Sequence, residues 1–177
     1  MIFTETKLKG AYIIEPERLA DERGFFARTW CQEEFKKRGL NSQLVQCSLS
    51  FNNKKGTLRG MHYQIKPYEE AKLVRCTRGA IYDVMIDMRP ESPTFKQWVA
   101  VELTEENRRM AYIPEGFAHG FQTLQDNSEV FYQMSEFYHP ESGRGVRWND
   151  SAFGIKWPET GKRIISPRDC QYEDFRG

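Results

Sequence analysis

Long apolar runs are missing from this chain. No stretch reaches the roughly 18 to 20 residues that a membrane-spanning helix needs. An excess of one charge is missing too: 26 Lys and Arg stand against 25 Asp and Glu. Without a basic excess or a run of five like charges, a general nucleic-acid partner is not expected. A local basic pocket for one phosphorylated ligand stays open. Cysteine is scarce, and Cys31, Cys47, Cys76 and Cys170 form no C-x-x-C pair. That spacing argues against a zinc knuckle and against a thioredoxin motif. The opening residues MIFTETKLKG lack a signal-peptide core, so free thiols in a reducing cytoplasm are expected. Histidine is rare: only His62, His119 and His139 occur.

What is present is apolar enough to fold. Hydrophobic residues make up 39% of the 177 positions and aromatics 14%. Such a chain can bury enough surface to offset its conformational entropy, and the length suits one domain, residues 1–177. Gln32–Arg38 reads as a short helix with acids early and bases late, closed by Gly39. It is the one convincing helix. The turn Asp21-Glu22-Arg23-Gly24 is expected to separate helix-like from strand-like material. Segments 10–15, 24–30, 73–77, 80–89, 97–104, 109–113, 120–124 and 129–138 are β-branched and aromatic, as strands are. Turns recur about every ten residues, which predicts an antiparallel sandwich or small barrel. The last twenty residues, from Trp157-Pro158, look irregular and wrapped onto the domain.

The chemistry concentrates in Gly56-Thr57-Leu58-Arg59-Gly60-Met61-His62-Tyr63-Gln64. In an extended strand Gly60, His62 and Gln64 share one face, and Arg59, Met61 and Tyr63 the other. His62 is a titratable base on a rigid element, suited to proton transfer; it reads equally as a hydrogen-bonded core histidine. Lys72 enters an apolar strand, where a lysine snorkels out unless a cleft uses it against an oxyanion. His119 sits in a glycine-rich corner, as a cap or as a ligand contact. Tyr132 fits a core strand, although a buried phenol needs a partner and can donate a proton. Asp169 alone reads as a surface acid. A metal set from His62, Gln64, Glu69 or Glu70, and His119 is weak, because Gln64 is a poor ligand for first-row metals.

Read together, Asp21–Phe26, Gly56–Gln64, Ala71–Arg75, Gly79–Arg89, Ser92–Phe95, Ile113–Phe121, Val146–Asp150 and Ile165–Asp169 resemble the dTDP-4-dehydrorhamnose 3,5-epimerase family over nearly the whole chain. The resemblance implies an all-β, cupin-type jelly-roll barrel with one or two short helices. It also implies a homodimer, a nucleotide-sugar substrate that is dTDP-linked, and no cofactor or metal. In that frame His62 is the base, Asp169 orients it, Tyr132 is the acid for C5, and Lys72 stabilises the enolate with help from Arg59. Substrate contacts are implied for Arg59, Arg23, Gln46, Ser48, His119, Tyr138 and Arg168.

The chain departs from the family pattern at Arg28 and Gly143, where acids are common, at Arg168 for lysine, and in a longer segment 46–55. These departures bear on which sugar and nucleotide fit. Competing readings are epimerisation at one carbon, a 3,4-ketoisomerase, a metal-dependent barrel oxygenase, and a non-catalytic sugar-nucleotide binding domain.

Overall fold

Fourteen strands and two short helices appear in a computed structural model that describes residues 1–176. In chain order the strands are β1 (Ile2–Glu5), β2 (Tyr12–Glu15), β3 (Arg18–Asp21), β4 (Gly24–Ala27), β5 (Gln46–Asn52), β6 (Thr57–Gln64), β7 (Lys72–Arg78), β8 (Ala80–Asp87), β9 (Trp98–Thr104), β10 (Met110–Ile113), β11 (Phe117–Thr123), β12 (Ser128–Met134), β13 (Gly143–Gly145) and β14 (Ile164–Ile165). The helices are α1 (Gln32–Lys36) and α2 (Pro167–Cys170). One sheet runs β1-β2-β10-β7-β12-β5; the other runs β13-β6-β11-β8-β9, with β14 parallel to β6. Two antiparallel sheets stacked face to face make a cupin-like jelly roll.

The patterning explains the layers. Val74, Cys76, Ile81, Met85, Leu103, Phe121 and Val130 meet between the sheets. Leu73, Met110 and Tyr112 face outward from the first sheet and are covered by Phe35 of α1. Met61, Val84 and Ile86 face outward from the second sheet beneath Phe153, Trp157 and Phe175, so the C-terminal segment does wrap onto the domain. β8 is therefore buried on both faces, which is why its sequence shows no solvent side.

Two expectations are corrected. The residues before the Asp21–Gly24 turn are not helix-like: β3 pairs with β4 from Arg18↔Ala27 to Asp21↔Gly24, forming a separate exposed hairpin. The strand that begins at Gly24 ends at Ala27 rather than at Trp30. Among the described residues no helix is long and apolar enough to cross a membrane.

Candidate active site

Between the sheets the apolar cluster gives way to a cavity of about 690 Å³. Cross-strand register builds its first wall. Gln46, Met134 and Lys72 lie side by side across β5, β12 and β7, and Ser48, Tyr132 and Val74 form the next row. All but Val74 line the cavity. The alternate rows point the other way: Leu49, Phe131 and Arg75, one step beyond Ser48, Tyr132 and Val74, make a row on the outer face, where Leu49 is 56% exposed.

The second wall is β6 against β11, and here simple alternation fails. His62 pairs with His119, but Arg59 pairs with Phe121. Three steps along β6 oppose two along β11, so β6 carries one extra residue, a β-bulge. The bulge resets the pleat. Arg59 and His62 both line the cavity, while Met61 faces the outer core. The expectation that Arg59 and His62 lie on opposite faces is thus overturned. Gly60 takes φ +121°, and a Cβ there would lie 2.6 Å from Cα of Gly120. Only glycine fits that crossing.

His62 is joined to Asp169 from the far end of the chain, with Nε2 2.7 Å from Oδ1. Asp169 Oδ2 accepts from the Gly60 amide at 3.2 Å. Burial works to raise the Asp169 pKa, but the His62 hydrogen bond and charge, with the Gly60 and Ser166 contacts, outweigh it and hold the carboxyl below its ordinary value. The His62 ring stays 42% exposed, so a ligand in the cavity can reach it. What carries Asp169 is α2, which the sequence reading missed. Ser166 caps it, its Oγ accepting from the Asp169 amide at 3.1 Å, and Pro167 opens its first turn. Ser-Pro-x-Asp is a cap signature that was there to be read.

Tyr132 faces the cavity, its ring 6.1 Å from that of His119. Burial first, then the charge of Asp83, pushes its phenol well above the ordinary value, against a smaller pull from Arg59. The phenol therefore stays protonated, as a donor must. His119 is buried, its Nε2 2.7 Å from Asp83 Oδ2. Arg59 donates from Nε to Asn52 Oδ1 at 2.8 Å, and Asn52 is itself fixed by donating to the Ser50 and Ser128 carbonyls. Lys72 does not snorkel out. Its ammonium pairs with Glu70 at 2.9 Å, with both side chains close to buried.

The structure gathers His62, Asp169, Tyr132, Lys72, Arg59, Gln46, Ser48, His119, Tyr138 and Arg168 around one cavity. Arg23 is not among them. It sits at the tip of the β3–β4 hairpin, paired with Asp21 and 84% exposed. Arg28 pairs with Glu34 at 3.4 Å, also away from the cavity. Gly143 is on the rim, and a Cβ there would lie 3.9 Å from the Arg168 guanidinium. Sequence reasoning did not assign Glu70, Ser50 or Arg144 to the site, yet all three line it. Glu70 was legible from its spacing, two residues before Lys72. Among the described residues no three His, Cys, Asp or Glu side chains are grouped to hold a metal ion.

A base, a protonated phenol and an ammonium around one space suit proton transfer beside a carbonyl, and a jelly roll that carries them is by class an acid–base isomerase. The chain belongs to the dTDP-4-dehydrorhamnose 3,5-epimerase family, whose sequence profile matches residues 5–177. An enzyme of that name from Methanothermobacter thermautotrophicus is 44% identical over 176 residues, which are 98% of this chain and 94% of the relative. The crystal structure of the enzyme from Elizabethkingia anophelis superposes with a TM-score of 0.96 at 38% identity, covering 99% of this chain and 96% of that one. The Legionella pneumophila enzyme, solved in complex with dTDP-4-keto-L-rhamnose, gives a TM-score of 0.92 at 37% identity, covering 98% and 92%.

Proposed function

We propose that this chain converts dTDP-4-dehydro-6-deoxy-D-glucose to dTDP-4-dehydro-L-rhamnose by inverting C3 and C5. The C4 ketone acidifies the protons on both neighbours. With Nε2 held by Asp169, Nδ1 of His62 takes one of them. The electron pair moves through the new carbon–carbon double bond to the ketone oxygen, which becomes an enolate. Lys72 and Arg59 are the charged donors placed to stabilise it. At C5 the buried phenol of Tyr132 returns a proton from the opposite face and is reprotonated from solvent. At C3 the proton comes from solvent water, and His62 releases each proton it has taken to solvent, so both centres invert. The ketone is the electron sink, so the chemistry calls for no cofactor.

The observation that carries this reading is the His62–Asp169 pair and the protonated Tyr132 facing one cavity. A polar row of Gln46 and Ser48, with Arg168 and Tyr138 at the rim, suits the pyrophosphate and sugar hydroxyls. The test is NMR of the substrate in deuterated water. Deuterium at both C3 and C5 is expected. Deuterium at C3 alone points to a single-carbon epimerase, and tight binding without exchange to a binding module.

We also infer a homodimer working in the cytoplasm. The outer row Leu49–Phe131–Arg75 is uncovered by α1, and Phe51 beside it is 42% exposed. Arg75 stacks on Phe131 at 5.0 Å with a buried Nε that has no hydrogen-bond partner among the described residues. A second copy covering this face would bury those groups. The same assembly gives the protruding hairpin, with Leu19 71% and Phe26 73% exposed, a neighbour to reach. Arg23 then contacts nucleotide in the other copy's cavity. Sedimentation of Leu49→Glu should show a monomer where the parent sediments as a dimer.

A further inference from the structure

Glu70 is the one cavity carboxylate that the proposed chemistry leaves without a task. Its surroundings show that it is built in. Ala71, between Glu70 and Lys72, is clamped to Ser135 twice: its amide donates to Ser135 Oγ at 2.8 Å, and the Ser135 amide donates to its carbonyl at 3.0 Å. Ala71 is buried on the outer side beneath α1. Its two neighbours therefore project together into the cavity, where their side chains are 11% and 12% exposed and their charged ends meet at 2.9 Å.

A lysine stem has four rotatable bonds and a compact, strongly hydrated head. In a half-dry cavity such a head finds several acceptors, and its aim is not fixed by its own strand. A carboxylate two residues earlier on a clamped backbone removes that freedom. It sets a negative oxygen 2.9 Å from the ammonium, supplies the counter-charge that desolvation demands, and leaves ammonium protons for the ligand.

We propose that Glu70 is a positioning residue for Lys72, holding its ammonium aimed at the C4 oxygen as the enolate forms. The inference rests on the reading of Lys72 given above. Glu70 acts through Lys72 and touches no reacting atom.

Kinetics of Glu70→Gln and Glu70→Asp, each in the parent and in a Lys72→Met background, test this. Deuterium entry at C3 and C5 follows the slow variants over long incubations, and melting curves check folding. In the parent, Glu70→Gln should lower kcat roughly 10- to 100-fold, a part of what losing an oxyanion donor costs. KM should move by no more than about threefold, because ground-state binding is not the target. Glu70→Asp, which keeps the charge, should recover most of kcat. In the Lys72→Met background Glu70→Gln should change the residual rate by no more than about twofold, since residues acting as one unit are not additive. The proposal is overturned by parent-like kcat in Glu70→Gln, by a loss confined to KM, or by a full additional loss in the Lys72→Met background. A fully active Lys72→Met enzyme would instead remove the role given to Lys72, an outcome distinct from all three.

Discussion

Nε2 of His62 and Oδ1 of Asp169 lie 2.7 Å apart although 107 positions separate them in the chain. Asp169→Asn keeps the shape of the acceptor and removes its charge. The imidazole loses the partner that fixes its tautomer and balances its charge when it takes a proton. A fall in kcat of about 10²- to 10⁴-fold is expected. Steady-state kinetics measure it, with the melting temperature as a control; unaltered kcat would leave Asp169 a structural acid.

In the proposed mechanism Tyr132 distinguishes the two carbons. Tyr132→Phe removes the C5 acid and leaves His62, Asp169 and Lys72 in place. Deuterium entry at C5 should fall at least about 10²-fold, while entry at C3 stays within about tenfold. Equal losses at both carbons would assign Tyr132 to general binding instead.

Ser166 is a long-range handle on the base. Removing its hydroxyl by Ser166→Ala uncaps α2, at a cost of about 1 kcal/mol. Asp169 sits in that helix, so kcat should drop along with stability, and Ser166→Thr should restore both. Urea unfolding beside kinetics reads the pair; a stability loss with kcat intact would uncouple the cap from the site.

Acid stability should track Asp87. Burial alone would raise its pKa, but Arg89, Ser92 and Thr94 hydrogen-bond it and bring it from 3.8 to about 2. A depressed folded value adds stability above pH 3.8 that is lost as pH falls through about 2. The shift corresponds to about 2 kcal/mol. Asp87→Asn lacks this contribution, so its deficit against the parent should be full at pH 7 and shrink between pH 4 and pH 2. Urea titrations at those pH values decide it; a constant deficit would place the effect elsewhere.

How much of this was legible depended on periodicity. The strands from Lys72 to Met134 were readable because β-branched and aromatic residues recur between turns. β1, β3, β13 and β14 were not, being two to four residues long and set by pairing with distant partners. His62, Lys72 and Tyr132 could be picked out as chemically able, yet each also suited a core. Their meeting is a product of sheet register, which no local pattern contains. The face of Arg59 was misread because alternation assumes an unbroken ladder, and one inserted residue reverses it. Locally Asp169 read as a surface acid; only the resemblance set it beside His62, and α2 shows how the chain carries it there.

The tightness of the Gly60–Gly120 crossing has one more implication. A methyl on Gly120 would meet Met61 Sδ at 2.6 Å and the Arg59 carbonyl at 2.7 Å. Neither backbone can give way without undoing the extra residue that turns Arg59 inward. Straightening the bulge with every residue kept would put three regular steps between Arg59 and His62, and would swing the guanidinium into the oily layer under Phe153 and Trp157 while leaving the imidazole where it stands. Diversification of this scaffold toward other sugars is therefore steered to the rim, where a Cβ on Gly143 would come no nearer than 3.4 Å to any neighbour, and away from the hinge of the pleat.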